Sequence, residues 1–181
     1  MDPLLAAARQ CVLDVGLKRM TLADVARRAG VSRMTVYRQY GDLQRIVSEL
    51  LTCELVALID RARAAAADLP TARERLVEAA VRTVEELTHH PLYRRVLDLD
   101  PELLLPLVVD RFGSTQKAAI DLVAAQVEQG QRDGSIRGVD PRLAATCLQL
   151  TAQSFVFSAR VVEGQPVGPE LRHLLDAYLR P

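Results

Sequence analysis

The sequence contains no tryptophan, and aromatic residues make up only 4% of its 181 positions. Hydrophobic residues still account for 49% of the chain, so a core of ordinary size must be built mainly from leucine, valine and alanine. That composition favours helices. Because no strand pattern, internal repeat or low-complexity tail is present, we expect an all-α protein.

The sequence also lacks a net charge, since 23 basic residues balance 23 acidic ones. The balance conceals a division between two parts of the chain. Residues 1–50 hold eight basic and five acidic residues, and residues 51–181 hold fifteen and eighteen. A protein that neutralises phosphates needs an excess of basic residues, as the first part of the chain has. A contrast of this size also arises by chance.

Cysteines are few and odd in number: Cys11, Cys53 and Cys147 lie far apart in apolar helical surroundings. We expect buried free thiols in a reducing compartment, with redox sensing as the alternative. No segment approaches the ~18 apolar residues of a membrane span. The first residues also lack the charged and apolar regions of a signal peptide, so a cytoplasmic location is expected.

Residues 21–39 have the pattern of a helix-turn-helix. Thr21 and Asp24 have the spacing of a capping box at the start of a first helix. Gly30 supplies the left-handed residue that ends a helix without steric cost, and Ser32 then caps a second helix over 33–39. A short glycine-containing turn between two helices is the geometry that lays the second helix in a DNA major groove.

The second helix carries side chains suited to DNA, and no acidic residue occurs between Val25 and Gly41. Arginine pairs with phosphates or with guanine, and threonine reaches phosphates or thymine methyls. Tyr40 is able to offer a hydroxyl to a phosphate, as Tyr37 is, or to fill the core instead. Spacing alone leaves the choice open, because similar helix pairs occur in helical proteins that never bind DNA. The side chains expected to be exposed are Arg33, Met34, Thr35, Tyr37 and Arg38.

Residues 12–51 resemble the DNA-binding head of the tetracycline-repressor (TetR) family of bacterial transcription regulators. The resemblance rests on the segment from Met20 to Ser32, on Thr35-Val36-Tyr37 and on the aromatic Tyr40. Departures occur at Met34, Arg38, Tyr40 and 41–43, and we expect Met34 to alter which bases are read. The operator contacts that the resemblance implies are Thr21, Ser32, Arg33, Thr35, Tyr37 and Arg38; the predicted DNA-binding set also includes Met34 and Tyr40.

The predicted architecture is a three-helix head, a long connecting helix and a helical body, about nine helices in all. We assign residues 1–45 to the DNA-binding domain and residues 46–181 to a regulatory and dimerisation domain. Apolar periodicity predicts helices near 3–15, 22–29, 33–39, 43–67, 71–88, 114–132, 140–162 and 169–179, with a short helix after Pro91.

The resemblance implies that the last two long helices form a homodimer, since one head reads too few base pairs to compete with nonspecific sites. Ordinary core packing within one subunit is the alternative at every position. The predicted dimer-interface residues are Leu143, Cys147, Leu150, Phe157, Leu171, Leu174, Leu175 and Tyr178.

The resemblance also implies a small-molecule cavity in the body, and the apolar helices there favour a hydrophobic ligand. Core packing, helix capping or solvent exposure are the alternatives for each lining residue. The predicted lining consists of Tyr93, Phe112, Gln116, Gln149, Gln153 and Phe155.

Enzymatic chemistry finds no support in the sequence. His89 and His90 are adjacent, so on a helix they point about 100° apart and do not have the i, i+4 spacing of a metal-binding pair. No nucleophile elbow or phosphate-binding loop is present. We expect no metal or cofactor. We predict a DNA-binding transcription regulator, a repressor that binds a near-palindromic operator as a homodimer and is released by a small hydrophobic ligand. The alternative is a helical ligand-binding or adaptor protein that has weak or lost DNA binding.

Overall fold

The computed structural model describes residues 2–99, 113–162 and 164–181, and within these residues it contains nine α-helices and no strand. The all-α prediction is therefore confirmed. In chain order the helices are α1 (Pro3–Val15), α2 (Leu22–Ala29), α3 (Arg33–Tyr40), α4 (Leu43–Ala65), α5 (Ala72–His89), α6 (Pro91–Leu99), α7 (Ser114–Arg132), α8 (Pro141–Phe157) and α9 (Val167–Leu179).

Local sequence signals fix most helix ends. Asp2 caps α1 and Pro3 occupies its first position, where a missing N–H costs nothing. Asp140 and Pro141 start α8 in the same way. The predicted end of α8 at Val162 is wrong, because the helix stops at Phe157. Beyond it, i→i−3 bonds from Ala159 to Val156 and from Val161 to Ser158 tighten the chain into turns.

The chain divides into two compact units that do not coincide with continuous stretches of sequence. Among the described residues, the first unit contains 2–54, 89–99 and 113–115, and the second contains 55–88 and the remainder. Helix α6 thus belongs to the unit that holds the helix-turn-helix. The predicted functional division at residue 45 is a separate matter and stays a prediction.

The first unit, called the head below, has a core that joins helices α1 to α4 with α6. Val25 from α2 and Val36 from α3 are fully buried, as are Ile46 of α4 and Leu92 of α6. Helices α2 and α3 are therefore set on a packed apolar base. A Tyr93 hydroxyl that donates to the Leu51 carbonyl oxygen at 2.7 Å helps to fix α6 against α4.

The second unit, called the body below, buries leucine, valine and alanine side chains of α5, α7, α8 and α9. Leu171 and Leu175 of α9 pack in this core with Leu148 of α8. Two carboxamides lie in the same unit, where the Gln116 Nε2 donates to the Gln153 Oε1 at 3.4 Å. None of the described helices combines the length and the apolar character that crossing a bilayer requires.

Candidate nucleic-acid interface

Helix α2 starts and stops through the residues that the sequence marks. The Thr21 Oγ1 accepts the Asp24 amide at 3.2 Å while the Asp24 carboxylate accepts the Thr21 amide, so the capping box is present. At the other end Gly30 is left-handed, with φ 69° and ψ 28°. Its amide donates to the Arg27 carbonyl oxygen and the Val31 amide to that of Ala26, which is a Schellman motif.

Helix α3 begins at Arg33, three residues after Gly30. The Ser32 Oγ accepts the Thr35 amide at 3.1 Å and lies 2.9 Å from the Thr35 Oγ1. Val36 and Tyr40 anchor the helix in the head core. The hydroxyls of Thr21, Ser32 and Thr35 therefore shape the two helix starts, and Thr21 and Ser32 are also exposed to solvent.

The outer face of α3 combines positive charge with two large uncharged side chains. Arg33 and Arg38 are exposed, and Met34 and Tyr37 retain 64% and 58% of their accessible surface. Arg33 and Tyr37 lie one turn apart, as do Met34 and Arg38, so the four side chains form two neighbouring stripes on one face. We call these four residues the recognition face.

Arginine pairing distinguishes the recognition face from the rest of the helix-turn-helix region. Residues 2–45 contain seven arginines, and five of them have a partner within the head. Arg33 and Arg38 make no hydrogen bond or ion pair with any residue that the structure describes. The five pairs are Arg9 with Glu54, Arg19 with the Val15 carbonyl oxygen, Arg27 with Asp24, Arg28 with Asp14, and Arg45 with Glu49.

The carboxylates of the same region are all engaged as well. Hydrogen bonds from Arg28 and Gln10 lower the pKa of Asp14, and those from Thr21 and Arg27 lower the pKa of Asp24. Asp42 accepts the Arg45 amide at 2.7 Å. Arg33 and Arg38 are consequently the arginines of this region whose guanidinium groups have no partner among the described residues, and a DNA backbone would attract them.

Tyr40 does not lie on this face, and the structure corrects its proposed role in DNA contact. The side chain is 4% exposed, and its hydroxyl donates to the Asp2 Oδ2 at 3.0 Å. Burial, followed by the hydrogen bond to Asp2, raises the pKa of Tyr40 to about 12. The phenol therefore remains a neutral donor inside the head and takes the core position that was the alternative.

The predicted ligand-lining residues do not form one group. Tyr93 belongs to the head, where its hydroxyl is bound to Leu51 and its ring meets His90 edge-on at 5.5 Å. Gln116 and Gln153 contact each other in the body, and Phe155 packs on the body core. Gln149 is half-buried on α8, and Phe112 lies outside the described residues.

The predicted dimer residues separate into two sets. Leu171 and Leu175 are buried within their own unit, so their exposure to a partner is corrected to ordinary core packing. Leu143, Leu150 and Leu174 are instead about half exposed, between 47% and 58%. Cys147 and Phe157, half-buried, continue the stripe on α8, and Tyr178, in contact with Cys147, continues it on α9. We call these six residues the apolar face.

The cysteines follow the expected pattern only in part. Among the described residues all three thiols are free. Cys11 is buried, and burial raises the pKa of its thiol. Cys53 is exposed, which corrects the expectation of burial, and Cys147 is intermediate.

The geometry of α2 and α3 places the chain among the helix-turn-helix DNA-binding proteins. A family model described as "Bacterial regulatory proteins, tetR family" matches residues 4–50. An uncharacterized HTH-type transcriptional regulator of Mycobacterium bovis is 37% identical over 180 residues, covering 97% of this chain and 92% of that protein. The chain therefore belongs to the TetR family of HTH-type transcriptional regulators, and the predicted resemblance is confirmed.

Solved structures show that the likeness in fold extends over the whole chain. The TetR-family transcriptional repressor QsdR from R. erythropolis aligns with a TM-score of 0.74 at 14% identity, covering 99% of this chain and 95% of QsdR. FadR from Bacillus subtilis, in complex with stearoyl-CoA, aligns with a TM-score of 0.65 at 18% identity and 98% coverage of both chains. At these identities the likeness establishes the fold alone.

Proposed function

We propose that this TetR-family regulator is a repressor that binds a near-palindromic operator as a homodimer in the cytoplasm. In this proposal the recognition face enters the major groove, and a small, largely apolar ligand releases the DNA. The observation that carries the proposal is that Arg33 and Arg38 have no partner among the residues that the structure describes. A cation without an internal partner has nothing to give up when it moves onto a phosphate or a guanine edge.

The other predicted contacts have supporting roles in this proposal. Thr21 and Ser32 are exposed at the two helix starts, where their hydroxyls are able to contact phosphates while capping. Thr35 lies further into α3 and reaches the same backbone. Met34 and Tyr37 present apolar surface and one hydroxyl to the bases, so they contribute to sequence preference more than to charge neutralisation.

The homodimer rests on the apolar face of α8 and α9. Half-exposed leucines on two adjacent helices form the kind of apolar patch that marks a protein interface. A two-fold dimer matches a near-palindromic operator, whose two half-sites lie about 34 Å apart, one turn of B-DNA. Repression would then follow from occupation of the operator, which blocks access by the polymerase.

Ligand release is supported by a buried polar pair in the body. The Gln116–Gln153 pair places hydrogen-bonding groups in a body that is otherwise mostly apolar. A ligand bound near this pair would combine an apolar portion with at least one hydrogen-bonding group. Of the solved structures above, FadR was determined with stearoyl-CoA.

The experiment is a gel-shift titration with the DNA that flanks the gene of this protein, at two salt concentrations. Arg33→Ala and Tyr37→Ala should each weaken specific binding by about 1–3 kcal/mol. Arg27→Ala serves as the matched control, because Arg27 is exposed but already paired with Asp24.

Arg33→Ala should also lower the salt dependence of binding if Arg33 meets a phosphate, because the variant would release roughly one counterion fewer on binding. Equal decreases in affinity for Arg27→Ala and Arg33→Ala would contradict the proposal. So would specific retention of the DNA by a protein that lacks both Arg33 and Arg38.

A further inference from the structure

The Asp2 side chain connects the start of α1 with the end of the recognition helix. Its Oδ1 accepts the Leu4 amide at 2.7 Å and so caps α1. Its Oδ2 accepts two groups from the last turn of α3, the Gln39 Nε2 at 2.6 Å and the Tyr40 hydroxyl at 3.0 Å. The two oxygens of one carboxylate thus serve two different helices.

The two donors from α3 suit an ionised acceptor. Burial alone would raise the pKa of the Asp2 carboxyl, but hydrogen bonds from Leu4, Tyr40 and Gln39 outweigh it and leave that pKa below its ordinary value. Tyr40, with its own pKa near 12, keeps its proton. Charge-assisted bonds of this kind are shorter and stronger than neutral ones.

The position of this connection matters because α3 has few other restraints. The helix is eight residues long, and Val36 and Tyr40 are its only buried side chains. Gly41, with φ 78°, follows directly and turns the chain toward α4. The apolar packing of Val36 and Tyr40 is non-directional, whereas the hydrogen bonds from Gln39 and Tyr40 to Asp2 fix the direction as well as the position of the last turn.

We propose that Asp2 is a positioning residue for DNA recognition, which orients α3 so that all four side chains of the recognition face meet their base pairs together. This inference rests on the proposed operator binding by α3. Asp2 itself does not contact DNA. Specific complexes depend on this alignment, whereas nonspecific complexes depend mainly on the number of cations near the backbone.

Asp2→Asn separates the two functions of the carboxylate. Asparagine is as good an N-cap as aspartate, so one oxygen still accepts the Leu4 amide. The second oxygen becomes an NH₂ group, which cannot accept from Gln39 or Tyr40. Tyr40→Phe removes one donor from the other side without changing any charge.

The two variants should weaken binding to an operator selected from a random-sequence pool with the wild-type protein, by roughly 5- to 30-fold. Binding to random DNA of the same length should stay unchanged or strengthen slightly in Asp2→Asn. The sign is decisive, because loss of a negative charge acting through electrostatics alone would strengthen both complexes. Combined in one protein, the two substitutions should cost less than the sum of their separate effects.

Hydrogen exchange provides a readout that does not need an operator. In Asp2→Asn, the amides at the end of α3 should exchange faster, while the amides of the first turn of α1 keep their protection. Unchanged exchange in α3 would overturn the proposal, as would equal changes in specific and nonspecific affinity. If no DNA sequence emerges from the selection, the proposed function fails, and the exchange result still decides whether Asp2 restrains α3.

Discussion

The head and the body each expose one surface that is suited to a partner, and the two surfaces differ in chemistry. The surface of the head is positively charged, and that of the body is apolar. In residues 2–45, five of the seven arginines have a partner, and the two on the outer face of α3 have none among the described residues. In the body, apolar side chains are buried until a few leucines of α8 and α9 remain about half exposed. The exposed arginines suit a polyanion, and the exposed leucines suit another apolar surface.

A binding surface can be recognised without a bound partner when its side chains depart from the pattern of their neighbours. An exposed arginine is ordinary on a protein surface, so exposure alone does not identify Arg33 or Arg38. Their lack of a partner within the described part of the chain becomes informative because the five other arginines of residues 2–45 all have one. Leu150 and Leu174 become informative in the same way, since Leu148 and Leu175, which are close to them in sequence on the same helices, are buried in the body core.

The largest effect should come from placing charges on the apolar face. Leu150→Asp and Leu174→Asp should each weaken homodimer formation by roughly 30-fold or more, because a charge would be buried without a partner. Sedimentation velocity over a dilution series measures the effect. Val161→Asp is the control, since Val161 is 83% exposed on the turn that follows α8.

Arg33→Ala should leave the dimer intact in the same experiment. The comparison between the two surfaces breaks down if the aspartate variants remain dimeric at every concentration. It also breaks down if the arginine variant dissociates.

An intermediate effect is expected from a substitution at a close contact inside the body. A Cβ on Gly130 would lie well inside van der Waals contact with Ile136, against its Cβ, Cγ1 and Cδ1 atoms. Gly130→Ala should therefore lower the free energy of unfolding by about 1–3 kcal/mol. Helix propensity alone predicts a gain of about 1 kcal/mol, so the sign identifies the contact.

Gly138→Ala is the matched control for this substitution. A Cβ there meets no atom within 4 Å, so we expect a change close to zero. Urea denaturation of the two variants provides the comparison, and stabilisation by Gly130→Ala would show that the body has room that the structure does not contain.

The smallest effect should be the pH dependence contributed by Asp2. Because the folded-state pKa of its carboxyl lies below the ordinary value of 3.8, its contribution to stability is complete above pH 3.8. The contribution is lost as the pH falls through the lower, folded-state pKa. The difference in unfolding free energy between wild type and Asp2→Asn, below about 1 kcal/mol, should stay constant above pH 4 and shrink in stronger acid.

Urea titrations at several pH values check this expectation. Asp14 and Asp24, whose pKa values are also lowered, titrate equally in both proteins and cancel in the difference. A gap that widens toward acid would contradict an ionised Asp2 in the folded head.

Local signals in the sequence were sufficient for the helix-turn-helix. Its helix caps are short-range features, because each capping residue acts on backbone groups within one or two turns. The cap geometry is therefore predicted by the spacing of Thr21, Asp24, Gly30 and Ser32. The bounds of α1 follow in the same way from Pro3 and Gly16. The end of α8 did not, because the apolar residues that extend to Val162 keep a helical pattern beyond the point where the helix stops.

Partners that are distant in sequence were the part that could not be predicted. Helical periodicity predicts that Tyr40, Leu171 and Tyr93 lie on apolar faces of their helices. It does not show which other element of the fold covers each face. The Tyr40 hydroxyl donates a hydrogen bond to Asp2, 38 residues earlier, and the Tyr93 hydroxyl donates one to Leu51, 42 residues earlier. For Leu171 and Leu174, neighbours on one helix, only folded packing separates the residue that is covered from the one that is not.

The return of α6 to the head has a consequence for how the protein can be divided. Leu92 and Val96 of α6 lie in the head core with residues of α1 and α4. A fragment that ended at residue 54 would therefore lack part of its hydrophobic core. The core of the head is completed by a helix that the ribosome synthesises only after all of α5. Excision of an independent DNA-binding module would therefore have to carry α6 along, through a linker that replaces residues 55–88.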